Sequence, residues 1–341
     1  MRGTWVKKGL VVLVFLLFIA TGIIPSSGQE GNEKPSLPTS AGKTIYVDDN
    51  NINGPWDGTL SHPFRTIQDG LNNSQNGDTV YVFKGVYDHA YVYHTVNLIG
   101  EDKENTVILH DSGIESEKVN ISGFTLKGRD DALYVGSEQC VISDNIIEGY
   151  YFGIDAVHNC TIKNNKIKNN GDGIRSYGHN NISNNIFINN TDGIWFDTGG
   201  GDSVCYNNFS KNKDHALIMY TSSNMIYRNN FILNKNGIII VDGINNTISE
   251  NNFIFNVINA GFSTIISLPL LSQLQVKHKN VFDNNYWSRY KQFGSKLIYG
   301  NIVLLFYIPL GHYFLPIPIP LPWINFDRHP AKKPFHILGM I

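Results

Sequence analysis

A six-residue segment recurs along this chain, and its copies keep step. Ile142-Ser-Asp-Asn-Ile-Ile147 is followed by Ile162-Lys-Asn-Asn-Lys-Ile167, Ile182-Ser-Asn-Asn-Ile-Phe187, Val204-Cys-Tyr-Asn-Asn-Phe209, Ile226-Tyr-Arg-Asn-Asn-Phe231 and Ile248-Ser-Glu-Asn-Asn-Phe253. Successive copies start 20, 20, 22, 22 and 22 residues apart. The fourth position is always Asn: Asn145, Asn165, Asn185, Asn207, Asn229 and Asn251. Six residues past each copy stand Gly153, Gly173, Gly193, His215, Gly237 and Asn259, each followed by an apolar residue: Ile154, Ile174, Ile194, Ala216, Ile238 and Ala260. A further copy, Ile121 to Leu126, begins 21 residues upstream and lacks the Asn.

Self-similarity at such a period is the mark of a solenoid. One unit cannot bury its apolar face alone, so units stack. Stacking sets equivalent residues about 4.8 Å apart. The predicted fold is all-β: a single-stranded, right-handed parallel β-helix. Aliphatic columns fill its bore. The Asn column forms a ladder, each amide bonding the one above and below. The sixth column turns from Ile to Phe after Ile167, so the bore changes shape there.

Composition agrees. The chain holds 41 Asn in 341 residues, a residue that favours turns and weakens helices. Its 42% hydrophobic content excludes general disorder. The net charge is -2, and no Lys/Arg cluster offers a surface for nucleic acid. Three cysteines are too few for a disulfide scaffold. Cys140 and Cys160 fall in one column and are expected as stacked thiols rather than a bridge.

The ends differ from the middle. Arg2, Lys7 and Lys8 precede the apolar run Gly9 to Ile24, so residues 1–28 read as a signal peptide or a retained N-terminal anchor. That places the protein in secretion or at the cell surface, with membrane contact through the apolar segment. Residues 29–43 form a linker and 44–95 an opening segment with an N-terminal cap. There Ile67 and Leu71 suit a short amphipathic helix. Residues 96–267 hold the coils. Residues 268–341 hold a last coil at Asn284-Asn-Tyr-Trp287 and an irregular, Pro-rich C-terminal cap. Pro316, Pro318, Pro320 and Pro322 exclude a continuous helix and require extended chain. Leu217 and Met219, then Ile239 and Val241, are expected to face outward and need a cover, which this cap would supply as a lid.

The Asn-Asn-x-Ile…Gly-Ile coils resemble the repeats of secreted carbohydrate-binding and sugar-hydrolase domains, among them NosD-type periplasmic proteins and pectate-lyase-like folds. The opening Ile45-Tyr-Val-Asp-Asp…Gly54-Pro-Trp-Asp-Gly…His62-Pro-Phe-Arg-Thr-Ile and the ending Trp323-Ile-Asn-Phe-Asp-Arg-His-Pro-Ala331 are similar to archaeal surface proteins of this fold. The resemblance covers about residues 44–335 and implies a glycan partner. It is specific for fold and silent on chemistry, because this fold hosts lyases, hydrolases and proteins with no reaction. The polygalacturonase pattern is incomplete: Asn190-Thr-Asp192 and Asp130-Asp131 occur, but Gly-His-Gly and Arg-x-Lys do not.

The column before the repeat glycine reads Phe152, Asp172, Asp192, Asp214 and Asn236. Stacked carboxylates repel, so one pKa rises or a cation, calcium for choice, sits between them. With Arg175 they form a candidate catalytic set for a polysaccharide lyase or glycoside hydrolase. Asp155, Tyr177, Trp195, Asp197 and His215 form the candidate substrate-binding set, the aromatic rings stacking on sugars. Against this, Asp-Gly and Asn-Gly are ordinary turn pairs. Asp48, Asp49, Asn50, Asn51 and Asp57 offer a second calcium candidate, better read as a solvated loop. Six histidines (His89, His94, His110, His158, His179 and His215) show no His-x-His or His-x-x-x-His spacing, so copper has little support in the linear pattern. The primary expectation is an exported glycan-binding β-helix, with the enzyme and a structural surface module as alternatives.

Overall fold

The computed structural model describes residues 42–156, 158–267, 280–290, 294–310 and 313–337. The expected signal or anchor and nearly all of the linker lie outside the described residues. Among those described, about nine coils stack in parallel. Each coil gives three strands, so three ribbons run along the molecule. Asp172–Ser176, Asn181–Ser183 and Ile186–Ile188 make one coil; Asp192–Phe196, Ser203–Cys205 and Asn208–Ser210 make the next. From Asp131–Val135 onward the first strand of each coil is the longest, and together these form the long-strand ribbon.

The bore fills as the repeat requires. Ile142, Ile162, Ile182, Val204, Ile226 and Ile248 are all buried. The predicted change of shape is a stack of rings. Phe187, Phe209, Phe231, Phe253 and Trp287 lie with centroids 4.5, 5.1, 4.9 and 4.3 Å apart and planes within 13°. Trp287 closes the stack from the degenerate last coil.

The Asn ladder forms, with one polarity. Asn165 Nδ2 donates to Asn185 Oδ1 at 3.0 Å, and the Asn165 backbone N–H donates to the same oxygen at 2.9 Å. The pattern repeats through Asn207, Asn229, Asn251 and Asn285. Each Nδ2 also donates to a carbonyl of the preceding coil, as Asn165 does to Ile142 at 2.9 Å. The residue before each ladder Asn is left-handed, for example Asn164 at φ 58, Tyr206 at φ 57 and Arg228 at φ 53. That backbone costs about 1–2 kcal/mol at a non-glycine residue. It swings the amide inward, where each buried polar group finds a partner.

Two more ladders accompany the first. One runs through Asn170, Asn190, Asn212, Asn234 and Asn256. The other runs through Asn180, Asp202, Asn224, Asn246 and Asn280, linked by backbone N–H to side-chain oxygen bonds of 2.9–3.0 Å. Cys140 and Cys160 extend this third column, Cys160 N–H donating to Asn180 Oδ1 at 2.9 Å. Both are buried free thiols, as is Cys205.

At the opening segment, Ile67–Asn72 is helical. Thr66 caps it by accepting the Asp69 N–H, and Ile67 and Leu71 are buried. The helix packs on the strands Thr44–Val47 and Thr79–Val82.

The Pro-rich segment is extended, as predicted. It pairs as a hairpin: Lys296–Leu310 lies antiparallel to Tyr313–Asp327, and Lys296–Leu310 continues the long-strand ribbon beside Ile258–Ser267. Prolines at alternate positions put every missing N–H on one edge of the strand, away from the ladder. Ile319, Leu321 and Trp323 remain 42–46% exposed. The expected outward set is half right. Ile239 and Val241 are partly exposed, but Leu217 and Met219 are fully buried. Their strand is shifted by one residue, for a reason that also rearranges the candidate site.

Candidate functional site on the long-strand ribbon

Two rows of side chains cross this ribbon. At the strand starts, register pairs Phe152 with Asp172, Asp172 with Asp192, Asp192 with His215 and His215 with Asn236. Asp214 is therefore not in the aspartate column; His215 is. The turn after ladder residue Asn212 is one residue longer than those after Asn170, Asn190 and Asn234, so the strand begins at His215 and Asp214 stays in the turn. Three residues further along, the second row reads Tyr134, Asp155, Arg175, Trp195 and Ile218, as expected for its middle members. The repeat glycine between the rows is required by close approach. A Cβ at Gly173 or Gly193 would lie 2.5 or 2.4 Å from the next coil's carbonyl oxygen.

Arg175 is held on three sides. Its guanidinium carbon lies 5.2 Å from the Phe152 ring centre and 5.3 Å from that of Tyr177. Its Nε donates to Asp197 Oδ2 at 3.1 Å, and its Nη2 bonds the same oxygen. Trp195 stacks on Tyr220 at 5.4 Å. Trp195 Nε1 and Asp155 Oδ1 are buried atoms without a hydrogen-bond partner. Burial raises the Asp155 pKa, against the opposing charge of Arg175. Tyr177, Asp155, Trp195 and Asp197 thus assemble around Arg175 as the sequence suggested.

The carboxylates have separate fates. Asp192 is buried, and its Oδ1 accepts the His215 N–H at 2.9 Å and meets His215 Nδ1 at 2.8 Å. Asp214 Oδ1 accepts from Lys235 Nζ at 2.8 Å, which holds its pKa below the usual carboxylate range. Asp214 Oδ2 lies 3.8 Å from His215 Nδ1. For Asp172, burial first and then the charge of Asp192 push the pKa up to about 7, with Arg175 and His215 opposing.

The other candidates are fastened locally. Asp48 Oδ1 accepts two bonds from Asn50, Asp49 Oδ2 accepts the Val86 N–H, and Asp57 Oδ1 accepts from Thr59. These bonds pin the opening loop. His89 and His110 both meet Asp88, at 3.3 and 3.2 Å, and His158 meets His179 edge to face. Among the described residues, one group of three ligating side chains brings its donor atoms within 4.8 Å of one another: Asp192, Asp214 and His215. Its members come from adjacent coils, which a search for spaced histidines along the chain cannot detect.

Stacked coils, keyed turns and a stacked aromatic bore define a parallel β-helix repeat protein. The chain belongs to the NosD family. That family's model, described as a periplasmic copper-binding protein, matches residues 71–292. One imidazole nitrogen with two carboxylate oxygens is a donor set that divalent copper accepts, so Asp192, Asp214 and His215 fit the described metal. No curated protein matches the sequence. The chain is also similar to solved structures at low identity. The A-module of the Azotobacter vinelandii mannuronan C-5 epimerase AlgE4 is 12% identical, with 70% of this chain and 87% of that one covered at a TM-score of 0.47. A PL6 alginate lyase in complex with a trisaccharide is 14% identical, covering 66% and 60% at 0.46. XylC in complex with xylose is 10% identical, covering 72% of each chain at 0.46. Among the described residues no helix is long and apolar enough to cross a membrane.

Proposed function

We propose that this is an exported β-helix that binds a polysaccharide along the long-strand ribbon. The observation that carries this reading is the row around Arg175, where a guanidinium clamped by Phe152, Tyr177 and Asp197 stands beside Trp195 on a solvent-facing surface. Clamping fixes the guanidinium before a ligand arrives, which lowers the ordering cost of binding. Rings supply stacking faces, and the guanidinium supplies donors to hydroxyls. Carboxylates outnumber cations here, with Asp155, Asp172, Asp192, Asp197 and Asp214 against Arg175 and Lys235. That balance favours a neutral, hydroxyl-rich chain over a polyanion.

The test is calorimetric titration of the full chain, with chelator present, against neutral and uronic-acid polysaccharides. Arg175→Ala and Trp195→Ala should each weaken neutral-glycan binding about tenfold, the loss of roughly one to two hydrogen bonds or one stacked ring. Equal binding by both variants and the parent would sink the reading.

A specific observation favours a second reading, glycoside hydrolysis. Burial and the charge of Asp192 push the Asp172 pKa up to about 7, which suits a general acid standing beside a second carboxyl. In that case Asp172→Asn removes turnover of a bound glycan and leaves its affinity intact.

A further inference from the structure

The group formed by Asp192, Asp214 and His215 has a geometry beyond what glycan recognition needs. We propose that it binds one divalent first-row transition ion through His215 Nδ1, Asp192 Oδ1 and Asp214 Oδ2. Metal–ligand bonds in such sites are about 2.0–2.2 Å, so two ligands at a right angle stand about 2.9 Å apart and two at the tetrahedral angle about 3.3 Å apart. His215 Nδ1 and Asp192 Oδ1 are 2.8 Å apart, the right-angle spacing. His215 Nδ1 and Asp214 Oδ2 are 3.8 Å apart. A shift of half an ångström in the Asp214 side chain, which is 40% exposed, brings this edge to the tetrahedral value.

The protein chemistry agrees with the geometry. Asp192 sits in the strand and is locked there by the His215 backbone N–H at 2.9 Å, so two of the three ligands are positioned before an ion arrives. Two carboxylates and a neutral imidazole balance a divalent ion's charge. The ion takes the Nδ1 lone pair, so the imidazole binds as its Nε2–H tautomer, and the contact between Nδ1 and Asp192 Oδ1 gives way to one bond from each atom to the ion. A nitrogen donor and only three protein ligands select against calcium, which takes six to eight oxygens. The Irving–Williams order places Cu²⁺ above the other divalent ions at such a site. Lys235, on Asp214 Oδ1 at 2.8 Å, competes for the ligand. Asp172, paired in register with Asp192, stands on the adjoining coil as a further carboxylate.

The experiment uses the full chain, freed of metal by chelation and then dialysed, with no glycan present. Zn²⁺ alone, and Cu²⁺ alone, are titrated by calorimetry. One saturable site is expected. His215→Gln and Asp214→Asn should each weaken it at least tenfold, and Lys235→Ala should tighten it. His110→Ala, on a histidine far along the ribbon, should leave it unchanged. Electron paramagnetic resonance of the Cu²⁺ form should show one imidazole nitrogen, absent in His215→Gln. Unchanged affinity in His215→Gln, a loss in His110→Ala instead, or no saturable binding would each overturn the proposal. Thermal unfolding of the metal-free variants checks that they are folded. Because the glycan titration runs in chelator and this one without glycan, either reading can fail without the other.

Discussion

Replacing Asp202 by Asn should stabilise the protein at neutral pH and do little in acid. Asp202 stands where the third ladder has Asn180, Asn224 and Asn246 on neighbouring coils. Its Oδ1 is well used, accepting the Asn180 N–H and the Ser176 hydroxyl, both at 2.9 Å. Its Oδ2 is buried without a partner. The equivalent atom of Asn224 is an Nδ2 that donates to Asn246 Oδ1 at 2.9 Å. Asp202 thus has an acceptor oxygen at the place where the equivalent rung has a donor. Asparagine supplies the missing donor. A restored hydrogen bond contributes about 1 kcal/mol, and relief of an unsatisfied buried atom about 1–3 kcal/mol more. The expected gain is about 2–4 kcal/mol, at about 2–4 °C in Tm per kcal/mol for a domain approaching this size.

The sign with pH is fixed by burial. Burial raises the Asp202 pKa above its value of 3.8 in the unfolded chain. The folded state thus binds the proton more tightly, so this residue's contribution is complete below pH 3.8 and is lost as pH rises through the folded pKa. Protonated Asp202 can donate to Asn224 as the amide would. Urea unfolding of parent and Asp202→Asn at pH 3.5 and pH 7.5 should show curves that nearly coincide in acid and separate at neutral pH. An Asp202→Asn variant that is less stable at pH 7.5, or a gap equal at both pH values, would refute the argument that the ladder is broken there.

Other outcomes follow from the same packing. Asn229→Ala removes the acceptor of the Asn207 N–H at 2.9 Å and the donor to Val204 at 2.8 Å; by urea unfolding it should cost about 2–5 kcal/mol, since buried groups are left unpaired. Phe231→Ala breaks the ring stack on both sides and should cost about 3–5 kcal/mol in the same assay. Asp172→Asn should flatten the pH dependence of Tm: the parent loses the Asp172 contribution as pH rises from 3.8 through about 7, and the variant has no proton to lose. A slope between pH 4 and 8 that is identical in both would remove Asp172 as its source.

The ladder column could be read from sequence because it sits at a fixed place in a repeated segment. The other two were equally legible, for they lie five residues on either side: Asn180 and Asn190 flank Asn185, and Asn224 and Asn234 flank Asn229. Asp202, Cys140 and Cys160 hid one of them by breaking its residue identity. The register of the candidate site matches the sequence reading around Arg175, where coil length is constant. It was misread at Asp214, because one extra turn residue changes which side chain enters the strand without changing the repeat of the next segment. Counting from Asn212 does not reveal it; only the pairing of backbones does. The burial of Leu217 and Met219 follows from that same residue, since a one-residue shift exchanges the two faces of a strand.

The main ladder ends at Asp327. Asn285 donates to Asp327 Oδ2 from both its backbone N–H, at 3.0 Å, and its Nδ2, at 3.3 Å, and Trp287 Nε1 adds a third bond at 2.9 Å. Each Oδ1 in the column accepts from the coil before it, so the side-chain carbonyl dipoles add along the solenoid as peptide dipoles add along a helix. The column thus has a positive pole, and a carboxylate, which accepts without passing a donor on, is the group that suits it. Such a column has a direction as well as a length. Coils can be inserted within it without disturbing the sense of any bond, and Asp327 ends the relay of side-chain donors.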